Sequence, residues 1–184
     1  MTTMADEARA SAGEDHRATV VVGVDGSPGS RAALVEAMRS ASSRGARLRV
    51  VAAYEPPEWR LGPTPGAPLP SRREIETELL HAVRGMVTDV AYELGGEHRR
   101  RPEIDVEAVP GRPAEVLVDA ARGAEELVVG HRGRGAVAST LLGSVGWGCV
   151  LHAPCPVRVI RSASPEPSPE PSPEPSPGPS PSDP

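Results

Sequence analysis

The chain has 184 residues, which is enough for one domain with additional segments. Its net charge of −5 comes from 20 basic and 25 acidic residues, and this balance disfavours a nucleic-acid surface, which needs clustered positive charge. Every basic residue is an arginine, so a Walker-type phosphate loop and Schiff-base chemistry on lysine are excluded.

The first part of the chain predicts a strand, a helix and a second strand after a short lead-in. Residues 1–17 are polar and rich in alanine, and we expect them to be disordered. The run 18–24 is β-branched and ends in an Asp-Gly-Ser-Pro turn, as a buried strand does. Residues 30–44 carry apolar side chains at helical spacing, and Gly45 is a suitable helix terminator. A second strand is predicted over 48–54.

The middle of the chain begins with a loop. Residues 55–70 contain six prolines and are not expected to form a regular element. A long helix is predicted over 72–94, followed by an alternating strand over 104–109. Proline in a first turn predicts a short helix over 113–122.

The last part predicts a strand over 126–129, a helix over 144–152 and a strand over 157–160. Because helices separate all the strands, the sheet should be mainly parallel and the fold α/β. The segment 162–184 holds 10 of the 22 prolines and repeats Pro-Ser-Pro-Glu, so we expect a disordered, extended tail that is more often solubilising than a ligand for an SH3-like partner. The sequence contains neither a secretory signal nor a membrane-spanning run, and we expect a cytoplasmic protein.

A glycine-rich loop follows the fourth predicted strand. Glycine lets a backbone approach a ligand closely, and unpaired N–H groups at a helix start attract anions. The spacing is Gly130-x2-Gly133-x9-Gly143-Ser144, which predicts a phosphate site opening the last helix. Two arginines in the loop are candidates for screening phosphate charge or for simple solvation: Arg132 and Arg134.

This spacing resembles the nucleotide-binding signature of the universal stress protein family. Three further segments are similar to that family: the first strand and turn at 20–27, the helix entry at 109–114, and His-Ala-Pro-Cys-Pro-Val at 152–157. The resemblance covers about residues 18–161, which we take as one domain.

The resemblance implies a Rossmann-like open sheet of five parallel strands in the order 3-2-1-4-5, with helices on both faces. It implies ATP or AMP as ligand and a homodimer through strand 157–160. A bound nucleotide could bring Mg²⁺ through its phosphates. Asp25 would contact the adenosine, Ala53 would contact the adenine through its backbone, and the phosphates would lie at the last helix. The implied nucleotide-binding residues are Asp25, Ala53, Val129, Gly130, Gly133, Gly143, Ser144 and Val145.

Several of these residues have simpler interpretations. Asp25 could only shape the turn that precedes the first helix. His131 is favoured as a solvated or phosphate-adjacent side chain over a catalytic base, because no nucleophile or paired acid accompanies it. Cys149 and Cys155 are favoured as free, buried thiols over a redox pair, since their spacing is not Cys-x-x-Cys. No group of residues has the spacing of a metal site.

Three functions remain open from the sequence. The leading one is a nucleotide-binding stress-response regulator that acts through nucleotide-linked dimerisation or partner binding. The second is a slow ATPase on the same site, although no catalytic constellation is recognisable and we do not expect an enzyme. The third is a dimeric adaptor that works without nucleotide.

Overall fold

The computed structural model describes residues 18–56, 70–95, 101–133 and 142–162. The described residues form five strands and four helices. In chain order these elements are β1 (Thr19–Gly23), α1 (Pro28–Arg44), β2 (Arg47–Tyr54), α2 (Arg72–Glu93), β3 (Ile104–Pro110), α3 (Pro113–Ala120), β4 (Glu126–Gly130), α4 (Ser144–His152) and β5 (Val157–Ile160). The predicted lead-in, most of the predicted proline-rich loop and the tail beyond residue 162 lie outside the described residues, so those predictions stand as predictions.

The strands form a single parallel sheet in the order β3-β2-β1-β4-β5, which confirms the predicted fold class and strand order. Because all strands run the same way, their carboxyl ends meet at one edge. The chain order reverses between β1 and β4, whose central residues Val22 and Val128 are paired. In open α/β sheets, ligands bind in the crevice at such a reversal.

Each face of the sheet is covered by two helices. Val20 and Val22 of β1 point to one face and pack with α1 and α2, whereas Val21 packs on the other face with α3 and α4. This alternation follows from the two-residue repeat of a strand. Burial on both faces explains why the central strands are almost continuously apolar.

The helix boundaries follow local capping chemistry. α1 begins at Pro28, two residues before the predicted start, because Ser27 caps it by accepting a hydrogen bond from the Ser30 N–H at 3.1 Å. Gly45 ends α1 in the left-handed region at φ 65°, as predicted. α3 ends at Ala120, two residues before the predicted end, since the chain then turns through Gly123 at φ 76°.

Two glycines lie inside α4, where glycine costs about 1 kcal/mol relative to alanine. A Cβ on Gly146 would lie 2.8 Å from Leu142 Cδ1, and one on Gly148 would lie 2.8 Å from the Ala114 Cβ of α3. Close packing against α3 therefore accounts for Gly148, whereas at Gly146 the flexible Leu142 side chain would have to shift. Of the described helices, not one is both long and apolar enough to cross a membrane.

Candidate functional site

The start of α1 and the loop after β4 lie in direct contact at the carboxyl edge of the sheet. The Ser27 hydroxyl donates to the Arg132 carbonyl oxygen at 3.5 Å. A Cβ on Gly29 would clash with the same carbonyl. The two segments thus touch backbone to backbone, at the point where the strand order reverses.

Gly130, at the end of β4, is required by this contact. A Cβ at position 130 would lie 2.6 Å from the Gly29 carbonyl carbon and 2.9 Å from the Ser30 nitrogen. Both atoms belong to the backbone and cannot move aside easily. Packing inside the protein therefore accounts for this first glycine of the motif.

Gly143, immediately before α4, is different. Its φ of −68° and ψ of 156° are open to any residue. A Cβ there would lie 3.5 Å from the His131 carbonyl oxygen, an ordinary van der Waals distance. Neither backbone conformation nor packing against the described residues requires glycine at 143. The described residues therefore leave room for a side chain or a ligand atom at this position.

The first turn of α4 has no cap from the residue at its N-cap position. Gly143 offers no side chain, and its own N–H donates to the His131 carbonyl at 2.8 Å. The first helical bond is from the Trp147 N–H to the Gly143 carbonyl at 2.9 Å. The N–H groups of residues 144–146 precede that bond and have no partner within the helix, so they and the helix dipole favour an anion. Ser144, which is exposed, adds a hydroxyl.

Asp25 and Gly133 come together across the crevice. One Asp25 carboxylate oxygen accepts the Ser27 N–H at 3.0 Å, so Asp25 does shape the turn before α1, and its contact with adenosine stays a prediction. A Cβ on Gly133 would lie 2.5 Å from the other carboxylate oxygen, Oδ2. The absence of a side chain at 133 lets the loop approach this carboxylate.

The remaining predicted site residues are spread along the same edge. Ala53 is half-buried near the end of β2, paired with Val109 of β3. The side chains of Val129 and Val145 belong to the core beneath α3 and α4, so only their backbones can face a ligand. Arg132 is half-buried in the loop, and Arg134 lies outside the described residues.

His131 links three elements through its backbone. Its N–H donates to the Ile160 carbonyl of β5 at 2.8 Å, and its carbonyl accepts the Gly143 N–H. The ring Nδ1 is buried without a hydrogen-bond partner among the described residues. Within those residues, no group of three His, Cys, Asp or Glu side chains lies close enough to hold a metal ion.

Both cysteines are free thiols, as predicted. Cys149 is fully buried in α4, and burial raises its pKa to about 11. Cys155 is half-buried, and desolvation also raises its pKa. The fraction of reactive thiolate is therefore low in both cases.

The contact of the start of α1 with the loop after β4 was not predicted from the sequence. Ser27 and Gly29 hold the loop against the helix start, but neither was among the predicted site residues. Serine followed by proline is a recognisable helix-start signal and could have identified Ser27. No local signal could identify Gly29, because its contact is with residues far away in the chain.

A model of the universal stress protein family matches residues 16–161. The chain belongs to the universal stress protein family.

Individual relatives agree with this assignment. The universal stress protein encoded in the QAH/OAS sulfhydrylase 3′ region of Thermus aquaticus is 37% identical over 145 residues, covering 78% of this chain and 98% of the relative. A universal stress protein of Mycobacterium tuberculosis H37Rv is 36% identical over 149 residues, covering 77% of this chain. The match covers only 47% of that relative, so this chain spans about half the length of the mycobacterial protein.

A solved structure provides a ligand-bound relative. A universal stress protein crystallised in complex with cAMP is 28% identical, with a TM-score of 0.57. The match covers 80% of this chain and 98% of the relative. The relative therefore has the same fold and carries an adenine nucleotide.

Proposed function

We propose that this universal stress protein binds an adenine nucleotide, ATP or AMP, at the carboxyl edge of its sheet and acts as a stress-response regulator. It is a member of the nucleotide-binding subtype with the Gly-x2-Gly-x9-Gly-Ser motif. The observation that carries the proposal is the start of α4 at Gly143, where no N-cap side chain binds the first turn and the described residues leave room for a ligand atom.

The phosphates occupy the first turn of α4 in this proposal. The N–H groups of Ser144, Val145 and Gly146 donate to them, and the Ser144 hydroxyl adds a fourth donor. A side chain at position 143 would enter the space that a phosphate needs. This explains a glycine that neither the backbone nor the packing demands.

The adenosine extends towards the ends of β1 and β2. Asp25 accepts a hydrogen bond from the base or sugar, and the Ala53 backbone contacts the adenine. The cAMP complex of a relative at 28% identity supports an adenine nucleotide as the ligand class. Mg²⁺ would arrive with the phosphates, because hard cations favour phosphate oxygens.

We propose binding without rapid turnover. ATP hydrolysis needs an aligned water and a base or a metal ligand, and the described residues at this edge supply no evident pair for that role. Regulation would operate through a homodimer or another partner at β5. Among the described strands β5 lies at the edge of the sheet, so one side of its backbone faces no other described strand, and the Val159 side chain is exposed.

Calorimetric titration tests the site. AMP and ATP should bind the native chain, and Gly143→Asp should weaken binding by roughly a hundredfold, since its carboxylate fills and repels the phosphate position. Gly85→Asp is the matched control: a Cβ at this exposed α2 position meets nothing within 4 Å. Native-like affinity in Gly143→Asp, or no heat for the native chain at millimolar nucleotide, would refute the proposal.

Two further assays separate the modes of action. Phosphate release from ATP should stay at background, and a steady rate lost in Gly143→Asp would make the protein an ATPase. Sedimentation should show a dimer whose dissociation constant changes with ATP. A monomer at all concentrations, with and without ATP, would contradict nucleotide-linked dimerisation.

A further inference from the structure

The solvent side of α4 carries an apolar strip. Trp147, Val150 and Leu151 are 57%, 47% and 57% exposed. Their spacing of three and four residues places them on one face of the helix. We call these three side chains the α4 strip.

The strip is unusual for this chain and this helix. Phenylalanine is absent and only two tryptophans and two tyrosines occur, so an exposed tryptophan is a large share of the aromatic surface. The opposite side of α4 is already buried, through Gly146 and Cys149. A helix that is apolar on both sides is normally covered on both sides.

The proline-rich segment leaves the fold close to this strip. The Ile160 carbonyl at the end of β5 accepts the His131 N–H, and the His131 carbonyl accepts the Gly143 N–H, each at 2.8 Å. These two bonds connect the end of β5 to the start of α4, one turn before Trp147. The described chain therefore ends, at residue 162, on the same edge of the sheet as the start of α4.

The segment 163–184 has the length and chemistry to cover the strip. Its 22 residues would span about 70 Å as polyproline II, whereas the nine-residue α4 is about 14 Å long. Prolines occupy every second position from 165 to 181. Proline rings are apolar, are ordered at little entropic cost and dock against exposed aromatic side chains.

We propose that segment 163–184 packs against the α4 strip of its own chain. A tethered segment is present at millimolar effective concentration, which a second copy in dilute solution does not reach. Three side chains on one short helix are by themselves far from the roughly 1,200 Å² that a stable protein interface buries, and the homodimer proposed above uses β5. The proposal is independent of nucleotide binding.

Quenching of Trp147 fluorescence by acrylamide tests the contact in the full-length chain. Trp59, outside the described residues, is removed in all samples by Trp59→Leu, so that Trp147 is the only indole. The native segment is compared with one in which the nine prolines from Pro165 to Pro181 at alternate positions are each changed to serine, which preserves length and charge. The native segment should lower the quenching constant by at least about twofold.

A variant of the strip sharpens the test. Leu151→Ser should reduce the protection of Trp147 with the native segment, whereas Tyr92→Ser, at an exposed α2 position away from the strip, should not. Equal quenching with both segments overturns the proposal. Protection that grows with protein concentration also overturns it, because it assigns the strip to a second copy. The result expected from an intramolecular contact is the same protection at every concentration.

Discussion

Two helices, α1 and α4, start at the carboxyl edge of the sheet, and they differ in how the backbone N–H groups of their first turns are capped. α1 is capped by its own Ser27, whose hydroxyl accepts the Ser30 N–H and also reaches the Arg132 carbonyl. α4 follows Gly143 and has no side chain at that position. One helix start holds the loop, and the other, which no N-cap side chain caps, is where we propose that an anion binds.

The glycines of the motif also differ in the reason why a side chain is absent. Gly130 is needed because the backbone of Gly29 lies where its Cβ would be, whereas Gly143 has room for a side chain. The sequence motif alone does not show whether a glycine is required by packing or by a ligand, because both requirements place glycine at the position. The structure separates them, and substitutions at the two positions should fail in different ways.

Gly130→Ala should have the largest effect of the substitutions considered. Its methyl group would meet backbone atoms of Gly29 and Ser30, so we expect the free energy of unfolding to fall by roughly 3 kcal/mol. Urea denaturation measures this change. Gly85→Ala is the control and should instead stabilise α2 by about 1 kcal/mol. A stable Gly130→Ala protein would mean that the loop can move away from α1.

Gly143→Ser should separate stability from binding. Serine is a good N-cap, so the free energy of unfolding should stay constant or rise by a few tenths of a kcal/mol. Its side chain would compete with the phosphate for the same N–H groups, so AMP affinity should fall by about tenfold. Thermal unfolding and calorimetry on the same preparation test both parts. A loss of stability alongside affinity would show that Gly143 also serves packing.

Ser27→Ala should show the reverse pattern. Losing the cap should cost about 1 kcal/mol of unfolding free energy. Because we propose that the phosphates bind at α4 and not at α1, AMP affinity should remain within about threefold of the native value. Parallel urea and calorimetric titrations provide the comparison. A much larger loss of affinity would show that Ser27 contributes to the ligand site, either directly or by holding the loop through the Arg132 carbonyl.

Arg132→Gln should have the smallest effect. The Arg132 Cα lies 3.7 Å from the position of a Cβ on Gly143, so this residue borders the open helix start. A half-exposed guanidinium near a phosphate should contribute about threefold to ATP affinity, and less to AMP affinity. Titrations at low and high salt measure the difference, which should shrink with salt. Equal effects on adenosine would show that Arg132 does not act through phosphate.

Much of the fold was predictable because its signals are local. β-branched runs, helical apolar spacing and glycine or proline boundaries placed every strand and helix within about two residues, and α4 and β5 were placed without error. The contact of Gly29 with Gly130 was not predictable, since it joins distant backbone segments without a side-chain signature. An apolar residue in a helix is usually part of the core, so the sequence alone did not decide whether Trp147 is buried or exposed.

The candidate site was predictable only as a set of residues. The spacing identified Gly130, Gly133 and Gly143, but it did not show why each of these positions carries glycine. The nucleotide contacts of these residues remain predictions, as does any role of Arg134. What the structure adds is a reason to expect phosphate at α4 and not at α1.

The most direct test is a two-dimensional NMR titration of the ¹⁵N-labelled protein with AMP, following backbone N–H resonances at both helix starts. Our account predicts large, saturable shifts for Ser144, Val145 and Gly146, with little change at Ser30 and Arg31. Shifts concentrated at Ser30 and Arg31, or none at either helix start, would contradict it.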